Sequence, residues 1–268
     1  MRGPSERSRE AVVDRVVEAV ASGAEAAVLG EQLFTLCRTL DDQAGLRRML
    51  TDPSVEADRR AGVVEGLLHA FDDATVTVAA LAVRQRWSAT RDLADALERG
   101  GATAFLLAAE NAGDLDEVED ELFRFARIVE AQPALRAALG DRASPLTARR
   151  QLVETLLADR VGEPTLRLVQ HAVTGRHRSV PAALVEMQRL AAARRERLVA
   201  VVRVARPLTA ALRRRLEAAL AEMFDHEVQL NVIVDPDVLG GVRVVVGDDV
   251  VDGTVATRLA EARRLLAG

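Results

Sequence analysis

Few residues in this chain are equipped for chemistry. Its four histidines are His69, His171, His177 and His226. No two stand at the spacing of a helical zinc pair, and no H-E-x-x-H occurs. They read as surface or boundary histidines. Cys37 is the single cysteine, which excludes an internal disulfide and any multi-cysteine metal site. It falls at an apolar position of a helical run and reads as a buried, inert thiol. The acidic run Asp114 to Glu121, D-L-D-E-V-E-D-E, has Glu119 where a calcium loop needs glycine. Acids there instead oppose the dipole of a helix start. The pairs Asp41-Asp42, Asp72-Asp73 and Asp248-Asp249 stand at turns and helix starts, where aspartate caps well. Nothing in the sequence joins two carboxylates into a glycosidase pair. There is no G-x-S-x-G elbow and no G-x-G-x-x-G loop. The expectation is a chain without catalytic residues, metal or cofactor, not an enzyme.

All 36 basic residues are arginine. A phosphate-binding loop and a Schiff-base enzyme both need a lysine, and arginine cannot replace it. Arginine is densest at Arg194-Arg195-Glu196-Arg197 and Arg213-Arg214-Arg215. These read as solvated helix faces or as a docking face for an acidic partner. Without interleaved aromatics and with a net charge of −5, nucleic acid is not an expected partner. Trp87, the only tryptophan, lies among Arg84, Arg86 and Arg91. It is either a helix-end core residue or an anchor for a partner. The opening M-R-G-P-S-E-R-S-R-E lacks a signal-peptide stretch, and no run of about 18 apolar residues occurs, so a cytoplasmic protein with no membrane insertion is expected.

The elements behind these residues are mainly helical. Ser5 or Ser8 can cap a helix carrying Val12, Val16 and Val20, ended by Gly23. Leu29, Leu33, Leu36 and Leu40 recur at three and four in a second helix. Further helices fit 45–50, 57–69, 73–87, 90–111 and 114–131, and prolines punctuate the rest to about Arg197. Shifted by 89 residues, 33–68 aligns with 122–157 without a gap, at 13 identities in 36 positions. Gln43 meets Gln132, Asp52 meets Asp141, Arg60 meets Arg149 and Glu65 meets Glu154. Recurrence of polar residues argues for duplication beyond a shared helical period. The expected fold is mainly α: a duplicated N-terminal helical bundle, with repeats at 1–105 and 106–197, then a small α+β domain at 198–268.

That last domain has its own pattern. Leu198 to Ala205 is a short valine-rich strand, and Thr209 caps a helix with Leu212, Leu216, Leu220 and Met223. Apolar residues then alternate at Val228, Leu230, Val232 and Val234, and again at Val242, Val244 and Val246, as half-buried strands do. Asp235-Pro236, Leu239, Gly240-Gly241, Gly247 and Asp252-Gly253 shape the bends between strands. Thr254 caps a final helix bearing Leu259 and Leu265.

The segment V-I-V-D-P-D-V-L-G-G-V-R-V-V-V-G-D-D-V-V-D-G-T-V, from Val232, resembles the C-terminal signature of the F-type ATP synthase delta subunit family, which includes the mitochondrial oligomycin-sensitivity-conferring protein. Val199 to Leu216 resembles the same family's strand, turn and helix. The helical half matches its six-helix bundle loosely, in a long actinobacterial form that carries the bundle twice. The resemblance implies a non-catalytic connector in the peripheral stalk. Helical bundles would grip N-terminal helices of alpha subunits, and the C-terminal domain would hold the b subunit, on the cytoplasmic face of the cell membrane. Helix-in-groove recognition suits both ends. Val244, Val246, Leu259 and Leu265 would divide between core and partner, and Trp87 is a further candidate for docking.

Overall fold

A computed structural model describes residues 4–195, 198–224, 228–235, 241–246 and 249–252. Eleven helices come first: α1 Pro4–Ala21, α2 Ala26–Asp42, α3 Ala44–Thr51, α4 Ala57–Leu67, α5 Asp73–Arg84 and α6 Thr90–Ala112, then α7 Leu115–Ala131, α8 Pro133–Gly140, α9 Leu146–Leu157, α10 Glu163–Ala172 and α11 Val180–Arg195. After them come β1 Leu198–Val204, α12 Ala210–Phe224, β2 Val228–Val234, β3 Val242–Val246 and β4 Asp249–Asp252. Contacts divide the chain into two compact units, Met1–Ala192 and Ala193–Gly268.

The helical unit repeats its local devices. Gln43 closes α2 and opens α3, its N–H donating to Thr39 O at 2.9 Å; Gln132 does the same between α7 and α8, donating to Ile128 O at 3.1 Å. Asp52 accepts from Ser54 N at 2.9 Å, and Asp141 accepts from Ala143 N at 3.0 Å. Gln32 Oε1 accepts from Asp72 N at 3.1 Å and Thr75 Oγ1 at 2.6 Å, anchoring the start of α5. Glu121 anchors α10 in the same way, accepting from Gly162 N at 3.1 Å and Thr165 Oγ1 at 2.5 Å. Each such anchor satisfies an orphan N–H of a helix start.

Two apolar cores result. Val12, Val16, Leu29, Leu33, Leu40, Leu93 and Leu97 fill the first; Leu122, Phe125, Leu139, Leu168 and Leu184 fill the second. Helix α6 supplies both: Leu93, Leu97 and Ala104 to the first, Ala102, Phe105 and Leu106 to the second. It therefore runs unbroken through the expected boundary at 105/106, the last helix of one bundle and the first of the next. Its crossing with α2 depends on two glycines. A Cβ on Gly101 would stand 2.6 Å from Phe34 Cδ1, and one on Gly30 would stand 2.7 Å from Phe105 Cε2. The absence of both lets the two rings pack at 5.5 Å between centroids.

Several helix starts and ends differ from expectation. Ser5 and Ser8 lie inside α1 and tie it to the first turn of α6 and the loop before it: Ser5 Oγ donates to Asp92 Oδ2 at 2.6 Å, and Ser8 Oγ to Arg86 O at 2.8 Å. Helix α5 ends at Arg84, before Trp87, whose indole N–H donates to Ala82 O at 3.0 Å. Gly23 has φ of 100°, as a helix-stopping residue in the left-handed region requires.

The smaller unit is a four-stranded sheet in the order β2-β1-β3-β4. β1 and β2 are parallel, and α12 makes the crossover between them; β1 with β3 and β3 with β4 are antiparallel. Thr209 Oγ1 caps α12 by accepting from Leu212 N at 3.3 Å. Val202 pairs with both Val232 and Val244, and this row meets Leu220 of α12 in a core with Val204 and Leu230. Val234 departs from its expected half-buried place: it is 48% exposed at the strand end, where Asp235 N bonds to Val204 O at 2.9 Å.

Candidate functional site

The strongest assembly of charged side chains lies where the two bundles meet. Arg176, in the loop after α10, is nearly sealed from water, with 3% of its side chain exposed. Its guanidinium forms ion pairs with Asp41 of α2 and with Asp95 and Glu98 of α6. The Nε contact to Glu98 Oε2 is 2.8 Å. Glu98 also receives two histidines, His171 Nε2 at 2.9 Å and His177 Nε2 at 3.0 Å on Oε1. His171 stacks on Phe34 with centroids 3.7 Å apart. One carboxylate on the shared helix thus gathers three cationic or polar groups from the second repeat, while Asp41 of the first repeat closes the other side of Arg176.

The electrostatics follow from burial and pairing. Burial alone would raise the Glu98 carboxyl, but hydrogen bonds from His171 and His177 and the nearby Arg176 charge hold it well below the usual carboxylate range. Burial dominates at His171 and pushes it down, toward the neutral imidazole. His177 is less enclosed; its hydrogen bond to Glu98 raises it. Desolvation pushes the Cys37 thiol up, and its Sγ donates to Ala94 O at 3.4 Å, the environment of an inert buried cysteine. The arrangement is a charge lock with no exposed nucleophile.

His69 is exposed and His177 half-buried, in line with surface or boundary histidines, whereas His171, 1% exposed, departs from that expectation because it packs on Phe34 and bonds to Glu98. Only a weak signal marked the site, namely several polar residues in G-R-H-R between two helices. The partners stand 73 to 135 residues away, and no local spacing encodes them.

The residues singled out earlier are spread over both units. Trp87 is half-buried against the first core with its N–H already bonded. Gly241 has φ of 84°, and Asp235 closes the end of β2, pairing with Arg203 at 3.4 Å. Val244 is buried in the small core, and Val246 pairs with Ala200 and Asp249 in the sheet. Asp252 ends β4 opposite Arg243. Pro236, Leu239, Gly240, Gly247, Gly253, Leu259 and Leu265, with the expected final helix, lie outside the described residues, as does His226. Large apolar side chains are exposed at Leu67, Phe123, Ile128, Val185, Leu212 and Met223. Among the described residues no group of His, Cys, Asp and Glu is arranged to hold a metal ion, and no helix is long and apolar enough to cross a membrane.

Comparison with known proteins gives the family. The model of the ATP synthase delta (OSCP) subunit family matches residues 97–266, from the middle of α6 to near the end of the chain. A protein of Beutenbergia cavernae named ATP synthase subunit delta is 48% identical, with all of both chains covered. One of the same name from Thermobifida fusca is 42% identical over all of both chains. A third, from Streptomyces avermitilis, is 48% identical over 89% of this chain and 88% of its own. With a helical body, a valine-ribbed sheet unit and relatives that align from end to end, the chain belongs to the ATP synthase delta (OSCP) subunit family.

Proposed function

We propose that this chain is the peripheral-stalk connector of a proton-translocating F-type ATP synthase, fastening the catalytic head to the b subunit and performing no catalysis. The observation that carries the reading is the family match over residues 97–266 together with full-length relatives that bear the subunit's name. A rotating central stalk exerts torque on the head, and a head that turns with it uncouples ATP formation from proton flow. Holding it requires durable interfaces and a stiff body. Bundled helices suit the grip on N-terminal helices of alpha subunits, and the sheet unit suits the end of b. The protein then lies at the cytoplasmic face of the cell membrane without entering it.

The match starts within α6, so the second bundle with the sheet unit corresponds to the family's common body. We assign the head contact to the second bundle and regard the first as an added brace. Two pull-downs test this on the full chain and on residues 90–268, one with peptides of the alpha N-terminus and one with the C-terminal segment of b. Both proteins should retain both partners. Loss of the alpha peptide from 90–268 alone would move the head contact to the first bundle. Failure of the full chain to retain either partner would defeat the connector reading.

A further inference from the structure

The charge lock forms one wall of a cavity of about 570 Å³ between the bundles. The first bundle contributes Arg38 and Arg47; the second contributes Arg142, Arg176 and Arg178, and Arg91 comes from the shared helix. Asp41 and Asp42 oppose them along the lining, and Asp95 and Glu98 stand behind Arg176, so two positive charges remain in excess in a chain whose net charge is −5. Asp41 is already committed to Arg176.

Arg47 lies 3.9 Å from Asp41 and Arg91 lies 3.7 Å from Asp95, while Arg38, Arg142 and Arg178 form no ion pair among the described residues. Arg142 donates to Gly175 O at 2.8 Å and His177 O at 3.1 Å, and Arg47 donates to Leu40 O at 2.6 Å. Arg38 donates to Thr35 Oγ1 at 3.0 Å through Nη2, while its buried Nη1 has no hydrogen-bond partner among the described residues. Thr174 Oγ1, on a residue lining the same cavity, is likewise buried without a partner among the described residues. A buried donor without an acceptor costs about 1–3 kcal/mol.

We propose that this cavity binds a small anion carrying two or more phosphoryl groups. Arginine forks match phosphoryl oxygens in pairs, and a single carboxylate would leave half of the excess charge uncompensated. The volume falls in the range of small-molecule sites, about 300–1,000 Å³. Because both bundles line it, an occupied cavity joins α2–α3 to the loop after α10 and reinforces the lock beside it. This assignment stands independently of the partners proposed above.

Calorimetric titration of the full chain with pyrophosphate, and separately with ADP, at fixed ionic strength tests it. Saturable binding is expected. The substitutions Arg38→Gln and Arg178→Gln should each weaken it about ten- to a hundred-fold, the cost of one charged hydrogen-bonding group. Circular dichroism melts confirm that each variant is folded; Arg178 is exposed and holds no structural bond among the described residues, so it serves if Arg38→Gln misfolds. Tighter binding of ADP than of pyrophosphate would make the ligand a nucleotide, and equal binding would make it a free polyphosphate. Absence of saturation at millimolar pyrophosphate and ADP would overturn the proposal. So would affinity unchanged in both variants.

Discussion

Replacing Arg176 by methionine tests the joint between the bundles most directly. The substitution keeps an unbranched apolar stem and removes the charge. Asp41 and Asp95, with about a third of their side chains exposed, can turn toward water and lose little. Glu98 cannot, since only 10% of its side chain is exposed. Breaking a buried pair and stranding one charge costs about 3–5 kcal/mol. His171 and His177 still contact Glu98, and their protonation offsets part of the loss. We therefore expect about 3 kcal/mol. For a unit of this size each kcal/mol moves the melting temperature by about 2–4 °C, so the helical unit should melt about 6–12 °C lower. Trp87 fluorescence reports the first bundle, and far-UV circular dichroism reports all helices. In urea the two should shift together. A double-mutant cycle with Glu98→Gln should show coupling above about 1.5 kcal/mol. A shift below 1 kcal/mol, or a cycle without coupling, would refute the view that these charges join the bundles.

Four further outcomes are expected. Gly101→Val places a side chain 2.6 Å from Phe34 and 3.1 Å from the Gly30 carbonyl, and should destabilise the helical unit by about 1–3 kcal/mol or more in urea titrations. Gly241→Val imposes a left-handed conformation on a branched residue; it should cost the sheet unit about 1–3 kcal/mol and weaken capture of b, leaving the helical melt unchanged. Glu98 has a depressed folded-state pKa, so its contribution is full above its ordinary value of 4.5 and lost as pH falls below it. The stability gap between the parent and Glu98→Gln should accordingly shrink between pH 6 and pH 3 in chemical denaturation. A chain beginning at residue 90 should fold with a cooperative melt. One beginning at 106 lacks the α6 segment bearing Ala102 and should bind a hydrophobic dye, as measured by fluorescence.

Local physics made much of this legible in the sequence. Leucines at three and four marked α2, and Thr209 marked the start of α12. Gln43 and Gln132, paired in the sequence, make the same backbone hydrogen bond at corresponding helix junctions. The bend at Gly241 needed only its residue type. Long-range features had no such trace. Nothing near Arg176 announces that its carboxylates come from α2 and α6, or that His171 stacks on Phe34. Duplication itself conceals this: Phe34 is 1% exposed, while its counterpart Phe123 is 56% exposed. Equal residues in the two copies have unequal surroundings because one copy packs against the other. Val234 failed for a related reason, since alternation continues to a strand's last residue although the layer above it has ended.

Helix α6 belongs to two cores at once, and that has a mechanical result. Structures in series are usually weakest at the connecting loop, where dihedral angles rotate at little cost. Here the connection is the interior of a 23-residue helix. Flexing one bundle against the other means rupturing consecutive rungs of its backbone hydrogen bonding while prying α2 off the glycine crossing. A twisting load entering one bundle is passed along a continuous covalent rod, as through a splined shaft without a universal joint.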